Sequence, residues 1–173
     1  MGLPGAEHKG RELMAITVKT DGMDKISEML TKMEQKAPSI AATALYEGAG
    51  IMAQEIVAEA ESIRTEPFHY SVFGMRDPSP EEKAAVLEAG SVGIAKFEKN
   101  GSEVNTSVGY GAAGYANTFG KEKAVAQIAN AINSGTSFMQ KQPFVRKAAS
   151  RGGKKAMQRM TEEIEKRLNE MIK

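Results

Sequence analysis

The residues whose spacing most resembles a chemical site are Gly109-Tyr110-Gly111-Ala112-Ala113-Gly114, which match Gly-x-Gly-x-x-Gly. That pattern holds a dinucleotide pyrophosphate only when it follows a parallel strand and opens a helix, with an acid about twenty residues further on. Here Tyr115 to Gly120 has no helical pattern, and no acid stands between Asn130 and Ser134. The expected reading is a glycine loop. The run from Gly114 to Lys121 has the outline of a phosphate loop. It is one residue too long, and Glu122 stands where Ser or Thr would hold Mg²⁺. His8 and His69 lie in separate irregular regions, neither with a second His at helix-face spacing, so no metal ligand is expected. No Ser-His-Asp set suggests itself. The acid pairs Glu81-Glu82 and Glu162-Glu163 read as solvated helix faces. No catalytic residue and no cofactor is nominated.

One charged run remains. Lys141, Arg146, Lys147, Arg151, Lys154, Lys155 and Arg159 occupy 141–160 without an acid among them. Three readings are open: a solvated face, a face paired with acids elsewhere in the chain, or a surface for a partner or for DNA. Lys141, Arg146, Lys147, Arg151, Lys154 and Lys155 are the candidate partner interface.

The whole chain sets bounds on these readings. Its 173 residues suffice for one domain with a real core. A net charge of +1 gives no bulk argument for nucleic acid. The absence of Cys excludes disulfides, zinc thiolates and cysteine nucleophiles. No apolar run approaches about 18 residues, so no membrane span is expected. With few aromatics, no Trp and 11 Met, the core must be built from Ala, Ile, Val, Leu and Met.

Residues 1–13 lack periodicity and read as a leader or arm, with a single domain over 14–173 that opens on an alternating, strand-like segment, Met14 to Thr20. Met23 to Lys36 carries Ile26, Met29, Leu30 and Met33 on one face, a helix. Ala37-Pro38 predicts a break or kink. A longer helix is expected from about Ser39 to Ile63, with Leu45, Ala49, Met52, Ile56, Ala60 and Ile63 as its apolar stripe. Its outer face would be acidic: Glu47, Glu55, Glu59 and Glu61. Gly48 and Gly50 would serve close packing. Arg64 to Pro80 is irregular and holds Phe68, His69, Tyr70 and Phe73. Ser79-Pro80-Glu81-Glu82 is a strong helix start, with a stop at Gly90. Asn100-Gly101 between two alternating runs predicts a hairpin over about 92–109. Tyr110 to Lys123 reads as a loop. A last helix is expected over about 143–172, with Met157, Met160, Ile164, Leu168 and Met171 as its seam, and with Gly152-Gly153 bending or fraying it.

The stretch joining these parts is Gly135-Thr136-Ser137, then Met139, then Gln142-Pro143-Phe144-Val145-Arg146-Lys147-Ala148. Pro143 suits a first helical turn. This block resembles the tail-completion, or head–tail joining, family of long-tailed bacteriophages and prophages, on Gly135, Thr136, Gln142, Pro143, Phe144 and Arg146. The order of elements from about Met14 onward is also similar. One departure stands out: after the long helix Arg64-Thr65 matches the start of a Thr-Gly-x-Leu turn, but Glu66-Pro67 replaces the rest.

The resemblance implies an α+β fold, a small antiparallel sheet packed on the long and C-terminal helices. It also implies that 124–133 is a strand running into the glycine-threonine block, although its Ala, Gln and Ile favour a helix. As function it implies a non-catalytic virion protein, made in the bacterial cytoplasm. Such a protein works as a ring, usually of six, between connector and tail tube or its terminator, with DNA passing through the lumen unread. The alternative is a small nucleic-acid-binding regulator that uses the basic last helix. The separation of an acidic helix from a basic one suits head-to-tail contact between copies.

Overall fold

The computed structural model describes residues 23–66, 74–88, 90–100, 103–111 and 114–172. The expected leader, the strand at 14–20 and the aromatics Phe68, His69, Tyr70 and Phe73 lie outside them. The fold is α+β. Helix α1 (Met23–Glu61) packs antiparallel on the C-terminal helix α4 (Phe144–Ile172) in the largest contact between elements. Between them in sequence come α2 (Pro80–Leu87), a ribbon of β1 (Gly93–Ile94), β2 (Glu98–Asn100), β3 (Glu103–Asn105) and β4 (Val108–Gly109), a hairpin of β5 (Tyr115–Thr118) and β6 (Lys121–Ala124), and α3 (Val125–Ser134). Among the described residues no helix is long and apolar enough to cross a membrane.

Of the break or kink expected at Ala37-Pro38, the break does not occur. α1 runs through Pro38. A proline deprives the carbonyl four residues back of its partner, at about 3 kcal/mol in a helix interior. Glu34 and Ala37 are exposed, so that carbonyl lies on the solvent side, and Met33, Ala37, Ile40 and Ala41 lie beside Ile164 and Leu168 of α4 across the proline.

The antiparallel ribbon forms as the sequence predicts. Ile94 pairs with Val108, Lys99 with Val104 and Asn100 with Glu103. From Ile94 to Glu98 the first strand takes four steps, where its partner takes three from Asn105 to Val108. One extra residue therefore interrupts the ladder, as in a bulge. The ribbon leans on α1, where Phe97 meets Tyr46 edge to face with ring centroids 5.6 Å apart.

Two expectations between 110 and 134 are corrected. The predicted loop contains the β5–β6 hairpin, turned by Phe119 and Gly120 at φ 55° and 72°. Two consecutive positive φ values suit the two-residue turn that follows strand twist. The expected strand at 124–133 is α3, with Val125, Ile128, Ala129 and Ile132 buried on one helical face. Local propensity and the 3.6-residue period both favoured this helix.

The core sits where the ends of the elements converge. Ile56, Ala60 and Ile63 meet Val86 of α2, the buried face of α3, Tyr110, Met139, Phe144 and Ala148. Further along, α1 and α4 close on small residues. A Cβ on Gly152 would lie 2.9 Å from Glu55 Cγ, and one on Gly48 2.7 Å from Met160 Cγ. Gly152-Gly153 does not fray α4: the helix is continuous through both, and Gly152 is a point of close approach. Gly48 packs as expected; Gly50 meets nothing within 4 Å. The inward face of α4 is Phe144, Ala148, Gly152 and Ala156. Met157 of the expected seam points outward at 64% exposure.

The acid faces need correction too. Glu59 is buried and Glu55 half-buried, because the close approach brings the flank of α1 against α4. Glu82 and Glu163 are also buried, each beside an arginine. A buried carboxylate is tolerable only with such a partner.

Candidate interaction surface

The block from Gly135 to Ala148 makes the joint of the molecule. Gly135 ends α3 at φ 77° and ψ 165°, its N–H donating to the Ala131 carbonyl. Its α-carbon faces the Lys141 backbone so closely that a Cβ would meet it at 3.0 to 3.2 Å. Thr136 Oγ1 accepts from the N–H groups of Phe138 and Met139, which tightens the turn. Met139 then bridges to Arg76, whose N–H donates to Phe138 O and whose carbonyl accepts from Gln140 N.

Gln142 ties three elements together. Its side chain accepts from Arg64 N at 2.8 Å and donates to Arg64 O and to Asp77 Oδ1 at 3.0 Å each. Its own N–H donates to Ile132 O. Pro143 leads into α4, where its carbonyl accepts from Lys147 N. Asn133 Oδ1 accepts from Val145 N and so caps that end from the side. Phe144, 2% exposed, meets Tyr110 edge to face at 6.1 Å. Burial pushes the Tyr110 phenol up, so it stays neutral at ordinary pH.

Two neighbouring contacts brace this joint and were not anticipated. Arg76 donates to both carboxylate oxygens of Glu82, at 2.6 and 2.8 Å. Burial alone would raise the Glu82 carboxyl. The Arg76 guanidinium and the Ser79 N–H outweigh it and hold it below the usual range. Glu82 also closes a capping box with Ser79, a pattern visible as Ser-x-x-Glu. Its pairing with Arg76, six residues earlier in irregular chain, had no sequence signal. Lys83 Nζ donates to the carbonyls of Glu61 and Ile63, placing a cation at the negative end of α1, whose last turn has none of its own.

Of the motif residues, only Arg146 is exposed on a helix and free of this joint. The six candidate interface residues divide. Arg151 pairs with Glu59, Lys155 with Glu55 and, beyond the set, Arg159 with Glu47 at 3.0 Å. The acidic flank of α1 and the basic flank of α4 thus meet inside one chain, and do not stand ready for head-to-tail contact between copies as expected. Lys141, Arg146, Lys147 and Lys154 are exposed and make no ion pair among the described residues. Arg146 and Lys147, with Pro143, Ser150 and Arg151, line a depression of about 310 Å³. No acid stands in the first turn of α4, so the positive helix end reinforces these cations. The exposed edge there is positively charged.

The glycine pattern at 109–114 leads into β5, with no helix opening from it. Among the described residues no group of His, Asp and Glu could hold a metal ion. No protein-family model, no curated protein and no solved structure matches the chain.

Proposed function

We propose that this chain is a structural subunit of a bacteriophage or prophage head–tail junction, a ring-forming adaptor between connector and tail tube that completes or attaches the tail. The observation that carries the reading is the division of labour within the block that resembles the tail-completion family. Gly135, Thr136, Gln142 and Phe144 work inward, as the joint of α1, α3 and α4. Arg146 and Lys147 face outward on a depression, and Lys141 and Lys154 are exposed as well. A motif that fixes a fold and leaves one charged edge suits a protein whose task is to hold neighbours in place. In the virion that edge would meet an acidic neighbour, and DNA would pass through the lumen without sequence reading.

The same cations would serve a nucleic-acid-binding regulator. That reading requires the purified chain to bind DNA strongly, with an affinity that falls steeply with salt. The test of the main reading is a particle count by electron microscopy in a phage lacking the chain. Filled heads and separate tails are expected; normally joined particles would overturn it.

A further inference from the structure

The turn that joins α3 to α4 offers an aromatic ring to solvent from a fixed backbone. Phe138 is 77% exposed, although its N–H donates to Thr136 Oγ1 and its carbonyl accepts from Arg76 N. The next residue, Met139, is buried in the core. Both backbone polar groups of Phe138 are thus engaged, and its exposure is not that of a fraying loop. A large apolar side chain ordered before contact loses little freedom on contact, and such rings anchor interfaces. Lys141 follows in the same turn, and Arg146 and Lys147 stand in the first turn of α4. None of these three cations makes an ion pair among the described residues.

A groove of the opposite character lies between α2 and β5. It encloses about 830 Å³, its apolar lining includes Ala84, Leu87, Tyr115 and Ala116, and its charged lining is Glu81 and Glu88, with no base. These acids stand at the two ends of α2, and Glu122 of β6 lies in register with Asn117 of the groove. Glu81, Glu88 and Glu122 are exposed and make no ion pair among the described residues. Glu81 accepts a long bond from Phe119 N, at 3.4 Å, which leaves its charge unneutralised. Lys123, in register with Ala116, is half-buried and acts on Glu82. Unlike the acidic flank of α1, this surface has kept its charge.

We propose that the groove between α2 and β5 receives the Phe138 turn of a second copy of this chain, with Lys141, Arg146 and Lys147 of that copy set against Glu81, Glu88 and Glu122. The ring enters the apolar lining while the cations meet the acids, so the match is in both apolar surface and charge. A nucleic acid would meet the cations, be repelled by the groove and leave it empty. An unrelated basic protein would fill the groove and leave the Phe138 edge bare. A second copy accounts for both surfaces, and no ion pair joins the two within one chain among the described residues. Made mutually, the contact closes at two copies; passed from copy to copy, it closes as a ring. It deepens the proposed function and rests on it for a place in the virion. The contact itself needs only purified chain, so its failure leaves the head–tail reading to the particle count.

The test is the mass of the full chain by sedimentation equilibrium over a series of concentrations. Wild type is compared with Phe138→Ser, with the edge variant Arg146→Glu/Lys147→Glu and with the groove variant Glu88→Lys/Glu122→Lys. All five side chains are exposed, so each variant is expected to keep the wild-type melting temperature. The wild type is expected to sediment as an oligomer and each variant as a single chain. Mixing the edge variant with the groove variant is expected to restore a complex of two chains, because each keeps the surface that the other has lost. A wild type of single-chain mass at every concentration overturns the proposal, as do variants that keep the wild-type mass or a mixture that stays single. An oligomer that these variants leave intact and that Ile26→Glu/Leu30→Glu dissolves overturns it in favour of the exposed face of α1.

Discussion

Phe144 and Arg146 stand two residues apart with opposite tasks. Phe144 fills the space between Tyr110, α1 and α3, and its removal leaves a cavity where those elements meet. Phe144→Ala should cost on the order of 3 to 5 kcal/mol, read as a lower denaturant midpoint. Arg146→Ala and Lys147→Ala, both at exposed positions, should leave that midpoint within about 0.5 kcal/mol of wild type. Glu82 supplies a second residue-scale prediction. Its carboxyl is held below the usual range in the folded chain, so the stability it lends is present above the ordinary carboxylate value of about 4.3. That stability is lost as pH falls from there through the lower folded value. Glu82→Gln should be less stable than wild type at pH 7, and the gap should narrow in melts taken below about pH 4. A gap independent of pH would mean that the Arg76 pair contributes through shape alone.

At the scale of elements, the contact between α1 and α4 rests on missing side chains. Gly152 faces Glu55 and Met52 at distances a Cβ could not keep, while its neighbour Gly153 meets nothing within 4 Å. Gly152→Val should force the helices apart and cost about 1 to 3 kcal/mol. Gly153→Ala should be neutral or gain up to about 1 kcal/mol, from helix propensity. Equal effects in thermal melts would contradict the close approach. The same pair shows why the sequence was only partly legible. Two adjacent glycines in a helix read as a weak point, since nothing local says that one of them faces the side chains of another helix. Pro38 misled in the same way, because its local penalty was outweighed by packing on both sides. The ribbon at Asn100-Gly101 and the start at Ser79-Pro80 were legible because their signals are local. The turn at Phe119-Gly120 was not, since a bulky residue at positive φ is rare. At 124–133 the residues themselves spoke for the helix that forms. In the candidate surface the basic residues could be read off directly. Which of them α1 neutralises could not, because Glu59 and Arg151 are 92 residues apart in sequence.

At the scale of the whole molecule, two exposed surfaces lie at opposite ends of α1. The joint end carries exposed cations around Arg146 and Lys147, and the far end of α1 carries the uncovered seam at Ile26 and Leu30. A chain with one such surface could hold one neighbour; a chain with two could be built into an assembly. That arrangement is what a ring between connector and tail tube would require. The most direct measurement is joining in vitro. Filled heads and separate tails from a phage lacking the chain are mixed with purified protein, and joined, infectious particles are counted. The account predicts that the wild-type chain restores joining, and that Arg146→Glu/Lys147→Glu, folded with an unchanged melting temperature, does not. Joining that proceeds equally well without the protein would contradict it.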